Sequence, residues 1–214
     1  METKFTEQQS LAVINEMIDR ARNNIQKGNA NSLIFHGYVV ALVAIANFVL
    51  IYILPAEHIN KSFNVWWLMI FSNIIDYFIK RKTDSSKIVR TQIDGIISYI
   101  WKGFAISISI FLIVLFSMCI FNPYNVQYNW IFCALITPLI MIMTAMAEFC
   151  MAKACRFKPF YWGAIYFWAG ALLCVLSYII LGRGDVQFLI LAACMIAGFV
   201  IPGHILNKKA EQNV

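Results

Sequence analysis

Charged residues are scarce in this chain, and the stretches between them are almost entirely apolar. Only 13% of its 214 residues are charged, whereas 61% are hydrophobic, and the mean hydropathy is +0.70. A typical soluble domain contains about 25% charged residues. The composition therefore excludes an ordinary water-soluble protein and indicates a membrane protein.

The sequence also lacks the motifs that mark common catalytic and cofactor sites. It contains three histidines and no HExxH zinc motif, GxSxG nucleophile elbow or phosphate-binding P-loop. Cys150 and Cys155 are five residues apart, a spacing that places them off a common helical face. We therefore expect no catalytic residue, metal site or cofactor. Nucleic acid is not an expected partner, because the basic residues form no recognition module.

Six apolar runs approach the length of about 20 residues that a helix needs to cross a bilayer. They cover residues 33–54, 65–79, 104–121, 130–147, 160–181 and 186–206. The second run is the shortest and ends in Asp76, Lys80 and Arg81, so it would span only with its basic side chains reaching to the headgroups. The sequence predicts an all-α fold, a polytopic membrane helix bundle with six transmembrane helices.

Lysine and arginine are distributed unevenly between the predicted loops. Fifteen of the 17 fall in the N-terminal segment, the 2–3 loop, the 4–5 loop and the C-terminal tail, and only Lys61 and Arg183 fall on the opposite side. Because short basic loops stay in the cytoplasm, we expect a multi-pass protein with cytoplasmic N- and C-termini. The lipid bilayer, and its anionic headgroups at the cytoplasmic face, are the expected partners of these basic residues.

The segment LAVINEMIDRARNNIQKGN, residues 11–29, has the pattern of an amphipathic helix. Its apolar residues recur every three or four positions and share one face; those of the cytoplasmic stripe are Leu11, Ile14, Ile18 and Ile25. Gly28 supplies a helix-ending signal. We predict a cytoplasmic amphipathic helix over residues 1–30, a six-helix transmembrane domain over 31–207 and a cytoplasmic tail over 208–214.

An apolar stripe left in water favours aggregation, so the cytoplasmic stripe needs a cover. Packing against the inner ends of the bundle or lying at the headgroups is the favoured interpretation, with a homodimer or another membrane partner as the alternative. A second stripe precedes the third membrane helix on the same side and is expected to be continuous with it; its members are Val89, Ile93, Ile96 and Ile100.

Polar side chains inside the predicted spans are few. They either make polar contacts between helices or line a solute path; the candidates are Asn47, Thr137, Thr144 and Ser177. Asp76, before Lys80, and Glu148, near Lys153, are interpreted as interfacial acids with basic neighbours. With no charge expected at the midplane, we predict a non-enzymatic scaffold or regulatory membrane component. The alternative is a transporter or channel for a small neutral or apolar solute.

Four phrases resemble, in order and spacing, a group of six-helix integral membrane proteins found mainly in Bacteroidetes. They are EMIDRARNNIQKGNANSLIFHGYVVAL (16–42), IDGIISYIWKGFAIS (93–107), CRFKPFYWGAIYFWAGALL (155–173) and AGFVIPGHILNKK (197–209). The resemblance covers most of the chain, although His36 stands where that group has tryptophan. It implies the fold and a location in the bacterial inner membrane, and it implies no activity or substrate.

Overall fold

The computed structural model describes residues 7–84, 92–121 and 126–212, which are helical apart from short connections. The α-helices are α1 (Glu7–Ile53), α2 (Leu68–Asp84), α3 (Gln92–Phe121), α4 (Val126–Cys155), α5 (Lys158–Leu181), α6 (Val186–Met195) and α7 (Ile201–Gln212). A 3₁₀ helix (Ala56–Trp67) precedes α2, and a π-segment (Ile196–Val200) joins α6 to α7. The predicted all-α fold is confirmed.

Within the described ranges, five helical stretches are long and apolar enough to cross a membrane. They are Asn31–Ile53, Gly95–Leu115, Ala134–Cys155, Lys158–Leu181 and Val186–Lys208. Each overlaps one of the predicted runs. The second predicted run, residues 65–79, has no counterpart among these five stretches. The helix α2 has only 17 residues, and the first residues of the run, Val65 to Trp67, belong to the 3₁₀ helix.

The 3₁₀ helix and α2 turn back along the outside of α1. The N-cap of the 3₁₀ helix is Pro55, whose ring cannot continue α1. Beyond this turn, Ser62 reaches Asn47, and Asn73 on α2 hydrogen-bonds to His36 (Nε2 to Oδ1, 3.2 Å). Since His36 lies about 26 Å before the end of α1, the two segments together retrace that distance.

The first helix is continuous from Glu7 to Ile53, so the predicted helix end near Gly28 is wrong. A lone glycine inside a helix costs only about 1 kcal/mol relative to alanine. An existing helix recovers that cost easily, since each added residue gains a backbone hydrogen bond.

The first and last membrane-spanning stretches pack antiparallel along their whole length. Three hydrogen-bonded pairs follow the contact: Tyr52–Asp185 (2.5 Å), Tyr38–His204 (3.3 Å) and Asn31–Asn207 (2.7 Å). Between the last two pairs, Gly37 allows close approach, because a Cβ at that position would lie 2.7 Å from Val200 Cγ2. The first stretch therefore begins beside the point where the last one ends.

The remaining core lies between α4, α5 and the π-segment. Its fully buried side chains include Met141, Phe160 and Phe167, and the Phe167 ring packs edge-on against Phe199 at 5.2 Å. Pro159 lies in the first turn of α5, where its missing N–H leaves no hydrogen bond unmade. Gly182, with φ 64°, ends α5 in the left-handed conformation.

The third helix packs mainly along α4 and leaves much of its surface open. Its continuity through Gln92–Phe121 confirms that the second stripe runs into the membrane helix. The assignment of faces is partly wrong, since Ile97 is buried whereas Ile96 is exposed. Trp101, whose ring lies 5.9 Å from that of Phe199, fixes this side of α3 against the π-segment. Val89 lies outside the described residues.

Candidate functional site

Asn47 is the centre of a polar clamp between α1 and the 3₁₀ helix. With its amide oriented to suit its neighbours, its nitrogen donates to Ser62 O at 3.0 Å and to Ser62 Oγ at 3.1 Å, and its oxygen accepts from Trp66 Nε1 at 3.1 Å. Asn47 and Ser62 are both fully buried. The clamp therefore uses every polar group of the Asn47 side chain within the fold.

The other three predicted polar residues do not converge on Asn47. Thr144 Oγ1 donates to the Ile140 carbonyl and Ser177 Oγ to the Cys174 carbonyl, each at 2.8 Å and each within its own helix. Thr137 is buried on α4. No hydrogen bond described here joins any two of the four, so they form separate positions on α1, α4 and α5.

The cytoplasmic stripe lies on the N-terminal part of α1. Leu11 is 60% exposed, so no described part of the bundle covers the stripe at this residue, and the cover of the stripe stays a prediction. The structure describes only the helical backbone of the other three members of the stripe, Ile14, Ile18 and Ile25, and not their side chains. Among the described residues Leu11 is open to a cover, for which the lipid surface and another protein are the candidates.

The histidines near one membrane face have hydrogen-bonding partners within the bundle. His36 Nδ1 lies 3.0 Å from the Ser32 carbonyl, and His204 contacts Tyr38. Among the residues described, no group of three or more His, Cys, Asp and Glu side chains could hold a metal ion. Asp76 is buried on α2 and interacts with a partner in the fold.

Glu148 is enclosed within the fold, whereas its sequence neighbours indicate an acid at the membrane interface. Its side chain is fully buried, and both carboxyl oxygens lack a hydrogen-bond partner. The expected pairing with Lys153 is wrong, because the Lys153 ammonium lies over the rings of Phe149 and Tyr161, 5.6 and 5.5 Å from their centroids. Five residues along a helix turn the two side chains away from each other.

Gly163 and the backbone carbonyl of Gly198 border the slot that holds the Glu148 carboxyl. A Cβ on Gly163 would lie less than 3.0 Å from Glu148 Oε1 and 2.7 Å from the Gly198 carbonyl oxygen. Since both atoms lie within 3.0 Å of one point, the carboxyl and carbonyl oxygens are less than 6 Å apart. Gly198 itself belongs to the π-segment. The slot is thus formed by α4, α5 and the π-segment, and a larger residue at Gly163 would close it.

A cavity of about 230 Å³ lies at the other end of the bundle, beside the turn between α5 and α6. Its lining is mainly apolar, with Ile51, Phe63, Phe188, Ala134, Tyr178, Gly184, Asp185 and Gln187. Beside it, Arg183 pairs with Asp185 (Nη2 to Oδ2, 2.6 Å), and Asp185 also accepts a hydrogen bond from Tyr52. These polar groups tie α1 to the α5–α6 turn.

Fold and site together define an all-helical, multi-pass membrane protein. In comparisons with known proteins, no family model, no curated protein and no solved structure matches this chain.

Proposed function

We propose that the chain crosses the bacterial inner membrane six times, with the 3₁₀ helix and α2 together making the second crossing. Asn31 and Asn207, at the two ends of the membrane domain, are hydrogen-bonded. A chain whose first crossing begins on the side where its last one ends has crossed an even number of times. Within the described ranges five helical stretches are long enough alone, and the 3₁₀ helix with α2 is the segment that supplies a sixth crossing.

Both termini lie in the cytoplasm under this proposal. The side shared by Asn31 and Asn207 is the side to which 15 of the 17 basic residues belong in the six-crossing arrangement. Reporters fused at Met1 and Val214 test it. A phosphatase that is active only in the periplasm should be inactive at Val214, and activity there would overturn the orientation.

The protein acts in this location as a non-enzymatic scaffold or regulatory component. The observation that carries this proposal is the Asn47 clamp, in which the most buried amide of the first span serves to hold the 3₁₀ helix. The hydroxyls of Thr144 and Ser177 are also engaged, since each donates to a carbonyl of its own helix. A solute path needs polar groups that face a passage, whereas these groups are engaged in the fold.

Solute flux into vesicles distinguishes a scaffold from a carrier. We expect proteoliposomes with the purified protein to take up glycerol no faster than protein-free vesicles. Flux that is lost in Asn47→Leu and kept in Ser177→Ala would overturn the scaffold assignment. Ser177→Ala is the matched control because it also removes a polar group from a span but leaves contacts between elements intact.

The second candidate function is transport of a small neutral or apolar solute. The apolar cavity beside Phe63 and Phe188 favours it, since ligand sites are concave and mostly apolar. A fluorescent apolar probe that binds there, and that Phe188→Ala releases, would support transport over a scaffold.

The exposed Leu11 supports a partner at the cytoplasmic face. We propose a second copy of the chain or the anionic headgroups as that partner, because both cover an apolar stripe flanked by basic residues. The mass of the purified full chain in mild detergent without anionic lipid, measured by light scattering, separates the two covers. A dimer under these conditions favours the second copy, and a monomer favours the headgroups.

A further inference from the structure

The slot around Glu148 presents a chemical problem that the scaffold and transport proposals leave open. An ionised carboxylate that is buried without a hydrogen-bond donor carries a penalty of several kcal/mol. Acids inside membrane spans are rare for this reason and usually serve a function. Both Glu148 oxygens are enclosed by the described protein and lack a hydrogen-bond partner, so neither water nor a headgroup solvates them.

The Gly198 carbonyl, which lies beside the Glu148 carboxyl, is one that an α-helix could not satisfy in the usual way. In an α-helix the Gly198 carbonyl would accept from the N–H of residue 202, but residue 202 is proline and has no N–H. The proline ring also crowds the carbonyl four residues earlier. The π-segment Ile196–Val200, immediately before Pro202, is the local rearrangement that relieves this conflict.

The carboxyl and this carbonyl face each other across Gly163. Both oxygens lie within 3.0 Å of the position that a Gly163 Cβ would take. Two oxygens without protons repel each other, whereas the O–H of a protonated carboxyl is a donor that a carbonyl oxygen accepts. The arrangement is thus complementary to a carboxylic acid and unsuited to a carboxylate.

We propose that Glu148 is a proton-binding site in which the protonated carboxyl is the donor to the Gly198 carbonyl. Loss of the proton leaves a charge that the closed slot cannot solvate, so deprotonation is coupled to separation of α4 and α5 from the π-segment. The proposal concerns the ligand of a buried acid and does not depend on whether the protein is a scaffold or a carrier.

Among the described residues, the other titratable side chains on the elements packed against Glu148 are engaged elsewhere or lie out of hydrogen-bonding distance. The Cys194 thiol donates to the Tyr166 carbonyl at 3.4 Å, and Lys102 lies over the Tyr99 ring at 5.3 Å. No described titratable side chain forms a hydrogen bond with the Glu148 carboxyl. The side chains concerned are Tyr99 and Lys102 on α3, Cys150, Lys153 and Cys155 on α4, Lys158, Tyr161, Tyr166, Cys174 and Tyr178 on α5, Asp185 and Cys194 at α6, and His204 on α7. The proton is therefore the cation that this slot is built to bind.

Dicyclohexylcarbodiimide tests the proposal, because it reacts with protonated carboxyls in apolar surroundings. The acid O–H adds across one C=N bond: the proton goes to nitrogen, the carboxyl oxygen bonds to carbon, and acyl transfer to nitrogen then gives a stable adduct with no leaving group. We expect peptide mass mapping of the purified full chain to place this adduct on Glu148 at neutral pH. Labelling should decrease as the pH is raised.

Two variants define the specificity of the label. Glu148→Gln keeps the shape of the side chain and should lose the adduct entirely. Glu57→Gln removes an exposed acid on the 3₁₀ helix and should leave labelling unchanged. Because mapping locates the adduct in the wild-type chain, the test remains valid even if Glu148→Gln accumulates poorly.

Three outcomes would overturn the proposal. The first is an unlabelled Glu148 in folded wild-type protein at neutral pH, and the second is labelling that does not change with pH. The third is protection of Glu148 by sodium chloride but not by choline chloride at constant pH, which would assign the slot to a sodium ion. A carboxylic-acid infrared band that is present in the wild type and absent in Glu148→Gln would provide independent support.

Discussion

Single residues in this bundle act by uniting elements that would otherwise meet only through apolar contact. Asn47 is the clearest case, since three hydrogen bonds from one amide join α1 to the 3₁₀ helix. Gly163 acts in the opposite way, by leaving out a side chain where Glu148 and the π-segment need space. Each gives a prediction about stability.

Replacement of Asn47 with leucine should destabilise the protein by about 1–3 kcal/mol, because Ser62 and Trp66 would keep buried polar groups without partners. Thermal unfolding in detergent measures the loss. Ser177→Ala removes a hydroxyl bonded only within α5 and should change stability by less than about 0.5 kcal/mol. Equal effects of the two variants would contradict the clamp.

Gly163→Ala should lower the unfolding temperature, since the added methyl group would meet Glu148 Oε1 and the Gly198 carbonyl. Overpacking of this kind typically costs about 1–3 kcal/mol. Gly103→Ala on α3 is the control, because nothing lies within 4 Å of its added Cβ. A stable Gly163→Ala variant would show that the slot can expand, against the close packing described here.

At the scale of elements, the 3₁₀ helix and α2 show how a weakly apolar segment is placed by its neighbours. Alone, α2 is about 26 Å long, shorter than the hydrocarbon core of about 30 Å. The 3₁₀ helix adds about 24 Å at its larger rise per residue. The hydrogen bonds to Asn47 and His36 hold the pair against α1.

Reporter fusions at both ends of this pair test the second crossing. Alkaline phosphatase fused after Pro55 should be active, since the six-crossing proposal places this turn on the periplasmic side, whereas the same enzyme fused after Arg81 should be inactive. A fusion after Arg183 serves as a second periplasmic control. High activity at both Pro55 and Arg81 would mean that the 3₁₀ helix and α2 return to the side from which they came.

At the scale of the whole molecule, α1 extends well beyond the membrane domain. It has 47 residues, of which only Asn31–Ile53 form the membrane-spanning stretch. The N-terminal remainder carries the cytoplasmic stripe, whose described member, Leu11, is exposed. Assembly through this stripe would leave the six proposed crossings unchanged.

Ile14→Asp and Ile18→Asp should each reduce the dimer fraction if the stripe joins two copies, because each places a charge on the apolar face. Gel filtration with light scattering measures that fraction in mild detergent. Asn23→Asp is the matched control, since it adds the same charge on the opposite face of the helix. An unchanged dimer fraction in all three variants would exclude the stripe as the dimer contact.

Much of the bundle is predictable because solvation determines it locally. The runs ending near Leu54, Leu181 and Leu206 are apolar over a bilayer's width, and no tertiary information is needed to recognise them. The predicted helix end near Gly28 is wrong because the small cost of one glycine does not interrupt a helix that is formed on both sides of it. The pattern assigns Ile96 to the buried face of α3, whereas the buried residue is Ile97, because two adjacent apolar residues fit an apolar stripe equally well.

The candidate sites were less predictable, since they depend on which helices become neighbours. Asn47 could be recognised as a polar residue at membrane depth, but its partners Ser62 and Trp66 follow a turn whose direction the pattern does not contain. Glu148 was interpreted as interfacial because Lys153 is near it in sequence. Pro202 was the available signal, because a proline inside a span releases the carbonyl four residues earlier.

The sequence by itself determined the solvent of this protein, its helical class and the side favoured by its basic residues, because each follows from the transfer of individual residues between water and lipid. Only the tertiary structure decided that Asn31 meets Asn207, that the 3₁₀ helix returns along α1 and that Glu148 faces Gly198. Those results depend on packing between residues far apart in the chain, and the hydropathy of a segment contains no information about its neighbours.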